Sequence, residues 1–129
     1  MSRRSDSERG SAAAEFVLVS ALLVALALAL VHVSLVIHVR HVLQASAWEG
    51  ARWASYYGNT PADGARLTQD LITEGLSAGY ASDVRVQTTS MGGRPGVQIS
   101  VVAPVPSVGL WSPGGELRVR AALPRETPG

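Results

Sequence analysis

An uninterrupted apolar segment near the N-terminus most constrains what this chain can fold into. Residues 16–37 read FVLVSALLVALALALVHVSLVI, and their only polar side chains are Ser20, His32 and Ser34. No Asp, Glu, Lys or Arg interrupts these 22 positions. At a rise of ~1.5 Å per residue the segment would span about 33 Å as an α-helix, and the hydrocarbon core of a bilayer is roughly 30 Å thick. The sequence therefore predicts a membrane-spanning helix.

Basic residues on the two sides of this segment predict its orientation. Three of the first ten residues are arginine, whereas the next two arginines, Arg40 and Arg52, follow the segment. An excess of basic residues marks the cytoplasmic side of a membrane helix. We therefore expect residues 1–10 to be a cytoplasmic leader, residues 11–38 to be the transmembrane helix, and residues 39–129 to be an extracytoplasmic helix extension followed by a small domain.

The composition of the chain excludes several classes of site. There is no cysteine among the 129 residues, which rules out disulfides, thiolate metal sites and a cysteine nucleophile. The 11 basic and 10 acidic residues nearly cancel and are scattered along the chain, which argues against nucleic-acid binding. About 90 residues remain for a folded domain, which is short for a deep catalytic cleft. We expect neither a cofactor nor an enzymatic activity.

Two helical patterns follow the apolar segment. Over residues 38–57 the apolar positions Leu43, Ala47, Ala51 and Ala54 recur at helical spacing, so the first helix is predicted to continue beyond the bilayer.

A second helix is predicted to begin after Gly58 and to run towards Gly79. Thr60 is its expected N-cap, with Pro61 in the first turn and Asp63 completing a capping box.

The remainder of the chain alternates between apolar and polar residues, as β-strands do. Alternation over residues 84–88, 97–101 and 117–121 predicts three strands. The Gly- and Pro-rich residues 91–96 are suited to a hairpin, and residues 104–115 are predicted to be a loop that holds Leu110 and Trp111. The expected fold class is α+β: a long N-terminal helix, transmembrane in its first half, and a small domain of one helix and a three-stranded antiparallel sheet.

A single carboxylate, Glu15, lies at the start of the apolar segment and needs an explanation. An acidic side chain at the centre of a bilayer costs about 2.5 to 3.5 kcal/mol on insertion scales, and less near the boundary. Charged residues in such segments are therefore candidates for a functional role by default. Glu15 is preceded by small residues and Gly10, and is followed directly by Phe16.

The residues Gly10, Glu15 and Phe16 resemble the prepilin family, in which a short leader ends in Gly and the mature chain carries Glu at its fifth position. The resemblance implies that a dedicated membrane peptidase cuts between Gly10 and Ser11 on the cytoplasmic side. The new Ser11 amine would lie one helical turn before Glu15, on the same face. Ser11 replaces the Phe that begins the best-known mature pilins, a difference that tight-adherence members tolerate.

The short leader, the Glu-Phe pair and the stretch EGARWA at residues 49–54 are similar to the TadE-like pseudopilins of tight-adherence pili. This resemblance implies a minor pilin or pseudopilin that takes part in assembly of a type IVb-like pilus, with Glu15 and Phe16 making assembly contacts. Its implied partners are a prepilin peptidase, sister pilins and pseudopilins, the pilus assembly platform and membrane lipid. The implied location is the cytoplasmic membrane, in or at the base of a pilus.

Other interpretations of these residues stay open at this stage. Glu15 alone would also suit the membrane boundary, and the chain would then be an uncleaved, single-pass membrane-anchored binding module. A secretory signal peptide cut near Ala45 is disfavoured because signal h-regions usually run about 7 to 15 residues. His38 and His41 lie three residues apart, but no carboxylate or cysteine accompanies them, so we predict no metal site.

Overall fold

The computed structural model describes residues 2–56, 58–108, 110 and 112–126, with side chains from residue 7 onward. Tyr57 and Trp111, predicted to end the first helix and to lie in a loop, are outside the described residues. The elements are α1 (Ser2–Ser55), α2 (Pro61–Gly75), a 3-10 helix (Ala78–Ala81), β1 (Val84–Met91), β2 (Arg94–Pro104) and β3 (Glu116–Pro124). The α+β prediction, with one long helix, one further helix and a three-stranded antiparallel sheet, is confirmed.

The chain divides into two compact units, Met1–Ser34 and Leu35–Gly129, called here the N-terminal and the C-terminal unit. The described N-terminal unit consists of α1 residues alone, from Ser2 onward. One of its few polar side chains is satisfied within the helix, since the Ser34 hydroxyl donates to the Leu30 carbonyl oxygen at 2.8 Å. Such a bond removes the need for an external partner in an apolar environment.

The C-terminal unit is built on the last third of α1. Leu43, Ala47, Ala51 and Ala54, the stripe predicted from helical spacing, are all fully buried, and Val39 extends the stripe by one turn. The prediction that the helix continues past residue 38 is therefore confirmed. Because three of these side chains are alanines, neighbouring elements can approach the α1 backbone closely.

The α1 and α2 backbones touch where they cross. A Cβ atom added to Gly64 of α2 would lie 2.5 Å from the Gly50 carbonyl oxygen of α1. A Cβ on Gly50 would lie 2.6 Å from the Gly64 carbonyl oxygen and would overlap with the Thr68 hydroxyl. That hydroxyl is buried and donates to the carbonyl oxygens of Gly64 at 2.9 Å and Ser46 at 3.4 Å. The crossing requires residues without a side chain at both positions.

The N-terminus of α2 carries the predicted capping box. The Asp63 backbone N–H donates to the Thr60 hydroxyl at 3.2 Å, and the Thr60 backbone N–H donates to the Asp63 carboxylate at 3.1 Å. Pro61 occupies the first turn, as predicted. The helix ends at Gly75, slightly earlier than expected, and the Leu76 N–H closes it by donating to the Ile72 carbonyl oxygen at 2.8 Å.

Replacing Thr60 by alanine is expected to destabilise the C-terminal unit, because one orphan N–H of α2 loses its acceptor. Loss of a Thr N-cap typically costs about 1 kcal/mol. In a domain of this size that loss lowers the melting temperature by roughly 4 to 8 °C. Near-UV circular dichroism of the full chain in detergent micelles, followed during heating, would measure the shift.

Thr73→Ala supplies the matched control, since Thr73 lies exposed on the same helix and its hydroxyl only donates back to the Gln69 carbonyl oxygen. An equal effect of both variants would contradict the capping role of Thr60.

The cap also predicts a pH dependence. The Thr60 backbone N–H, with a smaller contribution from the Thr60 side chain, lowers the pKa of Asp63 from its ordinary value. The stabilising contribution is thus present above the ordinary aspartate pKa of about 4 and is lost as the pH falls through the lowered value.

The sheet has the order β1-β2-β3, with β2 in the centre and both pairings antiparallel. Each predicted strand is confirmed and extends beyond its alternating core. Gly92 and Gly93 form the β1–β2 turn with φ values of 59° and 83°, which suits a two-residue hairpin. One face of the sheet lies in the core, through Val97, Ile99, Val101, Ala103, Leu117, Val119 and Ala121.

Candidate membrane and assembly segment

The four residues singled out by the sequence lie together on α1. Gly10, Ser11, Glu15 and Phe16 are all exposed, and 73% of the Phe16 surface is accessible. Ser11 and Glu15 are separated by four residues, so their Cβ atoms lie on one face about 5–6 Å apart. Among the described residues no side-chain hydrogen bond or ion pair involves Glu15. Within the described part of the chain the carboxylate is therefore available to an external partner.

The Gly10–Ser11 peptide bond is part of the helix, because α1 already begins at Ser2. Gly10 packs against nothing: a Cβ atom added there would meet no atom within 4 Å. Glycine in a helix interior costs about 1 kcal/mol relative to alanine, so Gly10 weakens α1 locally.

The part of α1 that follows Phe16 presents apolar side chains in all directions. The large hydrophobic residues over positions 16–37 include Val17, Leu22, Leu26, Leu30 and Ile37, each more than half exposed. A helix that is apolar all round needs either a protein core or a bilayer around it. Within this chain no part of its most apolar stretch is buried.

By length and composition, one helix of the described chain could cross a membrane, within Ser7–Ser55. The apolar character ends near Ile37, where His38, Arg40 and His41 follow. A long apolar helix of this kind fits a single-pass membrane anchor. It also leaves the C-terminal unit as the only part of the described chain with a packed core.

Three exposed ion pairs of the C-terminal unit join residues that are close along the chain. Arg52 lies 3.4 Å from Glu49, Arg85 lies 3.0 Å from Asp83, and Arg118 lies 3.4 Å from Glu116. Exposed pairs of this kind contribute about 0–1 kcal/mol each. Within the described part of the chain no group of three His, Cys, Asp or Glu side chains could hold a metal ion.

Sequence reasoning missed the close crossing at Gly50 and Gly64, although Gly50 lies inside the EGARWA stretch. The available signal was the run of small residues along the buried stripe of α1, since Ala47, Gly50, Ala51 and Ala54 leave room for another backbone. Since glycine in a helix interior costs about 1 kcal/mol relative to alanine, its presence on a buried stripe is compatible with close helix packing.

Comparison with known proteins finds a similarity over the N-terminal third of the chain. Residues 10–52 match the family model described as TadE-like protein. The matched region begins at Gly10, contains the whole apolar segment and ends at Arg52, two residues beyond the Gly50 crossing. No curated protein and no solved structure matches the chain. Residues 10–52, a third of the chain, are therefore similar to the TadE-like, pilin-related proteins.

Proposed function

We propose that this protein is a minor pilin or pseudopilin that takes part in assembly of a tight-adherence, type IVb-like pilus after its leader has been removed. One observation carries the proposal: Gly10, Glu15 and Phe16 stand in pilin-like order at the start of an exposed apolar helix, inside the region that matches the TadE-like family. The role is structural, and it requires no cofactor.

In this proposal residues 1–10 face the cytoplasm and a prepilin peptidase cuts the Gly10–Ser11 bond. Cleavage removes the arginine-rich leader and creates a positively charged amine on Ser11. That amine lies one helical turn from Glu15, so an ion pair can form within one chain or between neighbouring helices. In a bundle of helices that excludes water, such a pair fixes the axial register of neighbouring helices, because an unpaired charge there is costly.

The proposed assembly surface is the apolar part of α1. Its side chains are accommodated by lipid while the protein is in the membrane, and by the helices of sister pilins once it enters a complex. Since lipid and apolar side chains are similar in polarity, packing and polar contacts such as Glu15 decide the register of the helices. Phe16, next to Glu15, would fill the space beside the ion pair. The assembly platform would receive the helix at the membrane, with the C-terminal unit outside the cytoplasm.

The first test is the mass of the protein recovered from membranes of cells that carry the matching peptidase. We expect a chain that begins at Ser11. In a Gly10→Ala variant we expect the uncut chain, because pilin-type peptidases would no longer find Gly before the cut bond. Since Gly10 contacts no other residue, this substitution leaves the fold intact.

Uncut protein in both samples would overturn the proposal. The chain would then be a membrane-anchored binding module that displays its sheet domain, the alternative that the helical Gly10–Ser11 bond favours. Altering Gly10 or Glu15 should in that case leave localisation unchanged.

A further inference from the structure

The connection between β2 and β3 is apolar where an exposed loop would ordinarily be polar. Residues 105–115, VPSVGLWSPGG, contain no charged side chain. Leu110 has a relative exposure of 107%, so it touches no other part of the described chain, whereas Trp48, Trp53 and Tyr56 each keep less than half of their surface exposed. A single exposed leucine is common on protein surfaces, so the position of this charge-free loop in the fold decides what Leu110 can contact.

The direction of β3 shows which end of the C-terminal unit carries this loop. The Gln44 side-chain amide donates to the Arg120 carbonyl oxygen at 2.9 Å, and the Glu126 N–H donates to the Ser55 carbonyl oxygen at 2.6 Å. Both α1 and β3 therefore advance in the same direction along the unit. The start of β3, and the loop before it, lie towards the beginning of the α1 segment in this unit.

A distance estimate places the start of β3 level with the first α1 residues of the C-terminal unit. From Arg120 back to Glu116 the strand covers about 13 Å, and the same distance along α1 takes roughly nine residues. Glu116 thus lies near the level of Leu35. The apolar segment ends with Leu35, Val36 and Ile37. Leu35 and Val36 are half-buried against the core of the C-terminal unit.

Contacts on the α2 side of the C-terminal unit also place the end of β2, and thus the start of the loop, towards residue 35. α2 runs antiparallel to α1, because Gly64 touches Gly50 whereas Gly75, later in α2, faces Val42, which is earlier in α1. A Cβ added to Gly75 would lie 3.0 Å from the Val42 Cγ1. The chain then continues through the 3-10 helix to Asp83, whose carbonyl oxygen accepts from the Val102 N–H at 3.0 Å. The end of β2 is therefore also on the side of residue 35.

We propose that the 105–115 loop inserts Leu110 into the interface of the bilayer that holds α1, so that the C-terminal unit touches the membrane at two points. The proposal rests on membrane anchoring by α1, which is part of the function proposed above. The charged residues at this end do not oppose it, since Arg85 pairs with Asp83 and Arg118 pairs with Glu116. A second contact fixes the tilt and rotation of the unit above the bilayer, which a single helix leaves free.

The absence of cysteine makes the test direct. The Leu110→Cys variant has a single cysteine, which is labelled with an environment-sensitive fluorophore. The full chain is then placed in vesicles of phosphatidylethanolamine and phosphatidylglycerol. We expect a blue-shifted emission, quenching by a nitroxide on the lipid acyl chain near the headgroup, and weak quenching by aqueous iodide. Because Leu110 makes no contacts, the substitution removes no packing.

Two further labelled variants make every outcome decisive. Ser90→Cys, exposed near the β1–β2 turn at the far end of the sheet, should be quenched by iodide and not by the lipid nitroxide. Val24→Cys, inside the apolar segment, should be protected from iodide.

Protection at Val24 with iodide quenching at Leu110 overturns the loop proposal alone. Iodide quenching at Val24 shows that membrane anchoring itself has failed. Protection of Leu110 without lipid quenching, rising with protein concentration, would assign the loop to a protein partner instead and would also overturn the proposal.

Discussion

Replacing Gly50 by alanine is expected to disrupt the C-terminal unit, although alanine is the best helix former and Gly50 lies inside α1. The new methyl group would lie 2.6 Å from the Gly64 carbonyl oxygen and would overlap with the Thr68 hydroxyl. Overpacking of a tight core costs about 1 to 3 kcal/mol and sometimes more. The Gly64 carbonyl oxygen is a backbone atom that cannot rotate away, which places this site at the upper end. The gain in helix propensity, about 1 kcal/mol, offsets only part of that cost.

The expected result is a fall in melting temperature of roughly 10 °C for the full chain in micelles, from a net loss near 2 kcal/mol. Gly79→Ala is the matched control, because its nearest atom would be the Ser77 Oγ at an ordinary 3.8 Å. Adding Thr68→Ala to Gly50→Ala should restore only part of the loss, since the Gly64 carbonyl oxygen remains in place. A Gly50→Ala protein as stable as the parent chain would show that the two helices can separate at no cost.

Local signals in the sequence were sufficient for most of the fold. The cap at Thr60 was predictable because its hydrogen bonds join residues only three apart, and the buried stripe through Leu43 and Ala47 follows from helical periodicity. The hairpin at Gly92 and Gly93 was predictable because both residues must adopt positive φ. These features depend on neighbours along the chain, which a sequence displays directly.

Features that depend on distant residues were not predictable. The contact of Gly50 with Gly64 depends on how two helices cross, and the bond from Gln44 to the Arg120 carbonyl oxygen joins residues 76 positions apart. The level of Leu110 relative to Leu35 follows only from such long-range contacts. For the candidate assembly residues the sequence supplied the motif and the structure supplied its exposure, while the cut at Gly10 and the partner of Glu15 stay predictions.

Replacing Glu15 by alanine is expected to abolish assembly while leaving the protein in the membrane. Removing the carboxylate makes the start of the helix more apolar, so membrane insertion should be retained or improved. The proposed cleavage after Gly10 should also continue, because Glu15 lies about one helical turn from that bond. In the proposed assembly, the Ser11 amine loses its partner. We expect co-purification with sister pilins to fall by about a hundredfold or more, the scale on which removal of one partner of a buried ion pair acts.

Glu8→Ala provides a control of the same chemistry on the same helix. Glu8 is exposed and lies seven residues before Glu15, nearly two turns away on the same face, but on the leader side of the Gly10–Ser11 bond. If the leader is removed, Glu8→Ala should assemble normally, while Glu15→Ala is cleaved, membrane-bound and excluded from the complex. Equal assembly of both variants would mean that Glu15 only marks the membrane boundary. Equal loss in both would mean that acidic charge on this face acts before cleavage, during insertion or peptidase recognition, and the ion-pair role would be wrong.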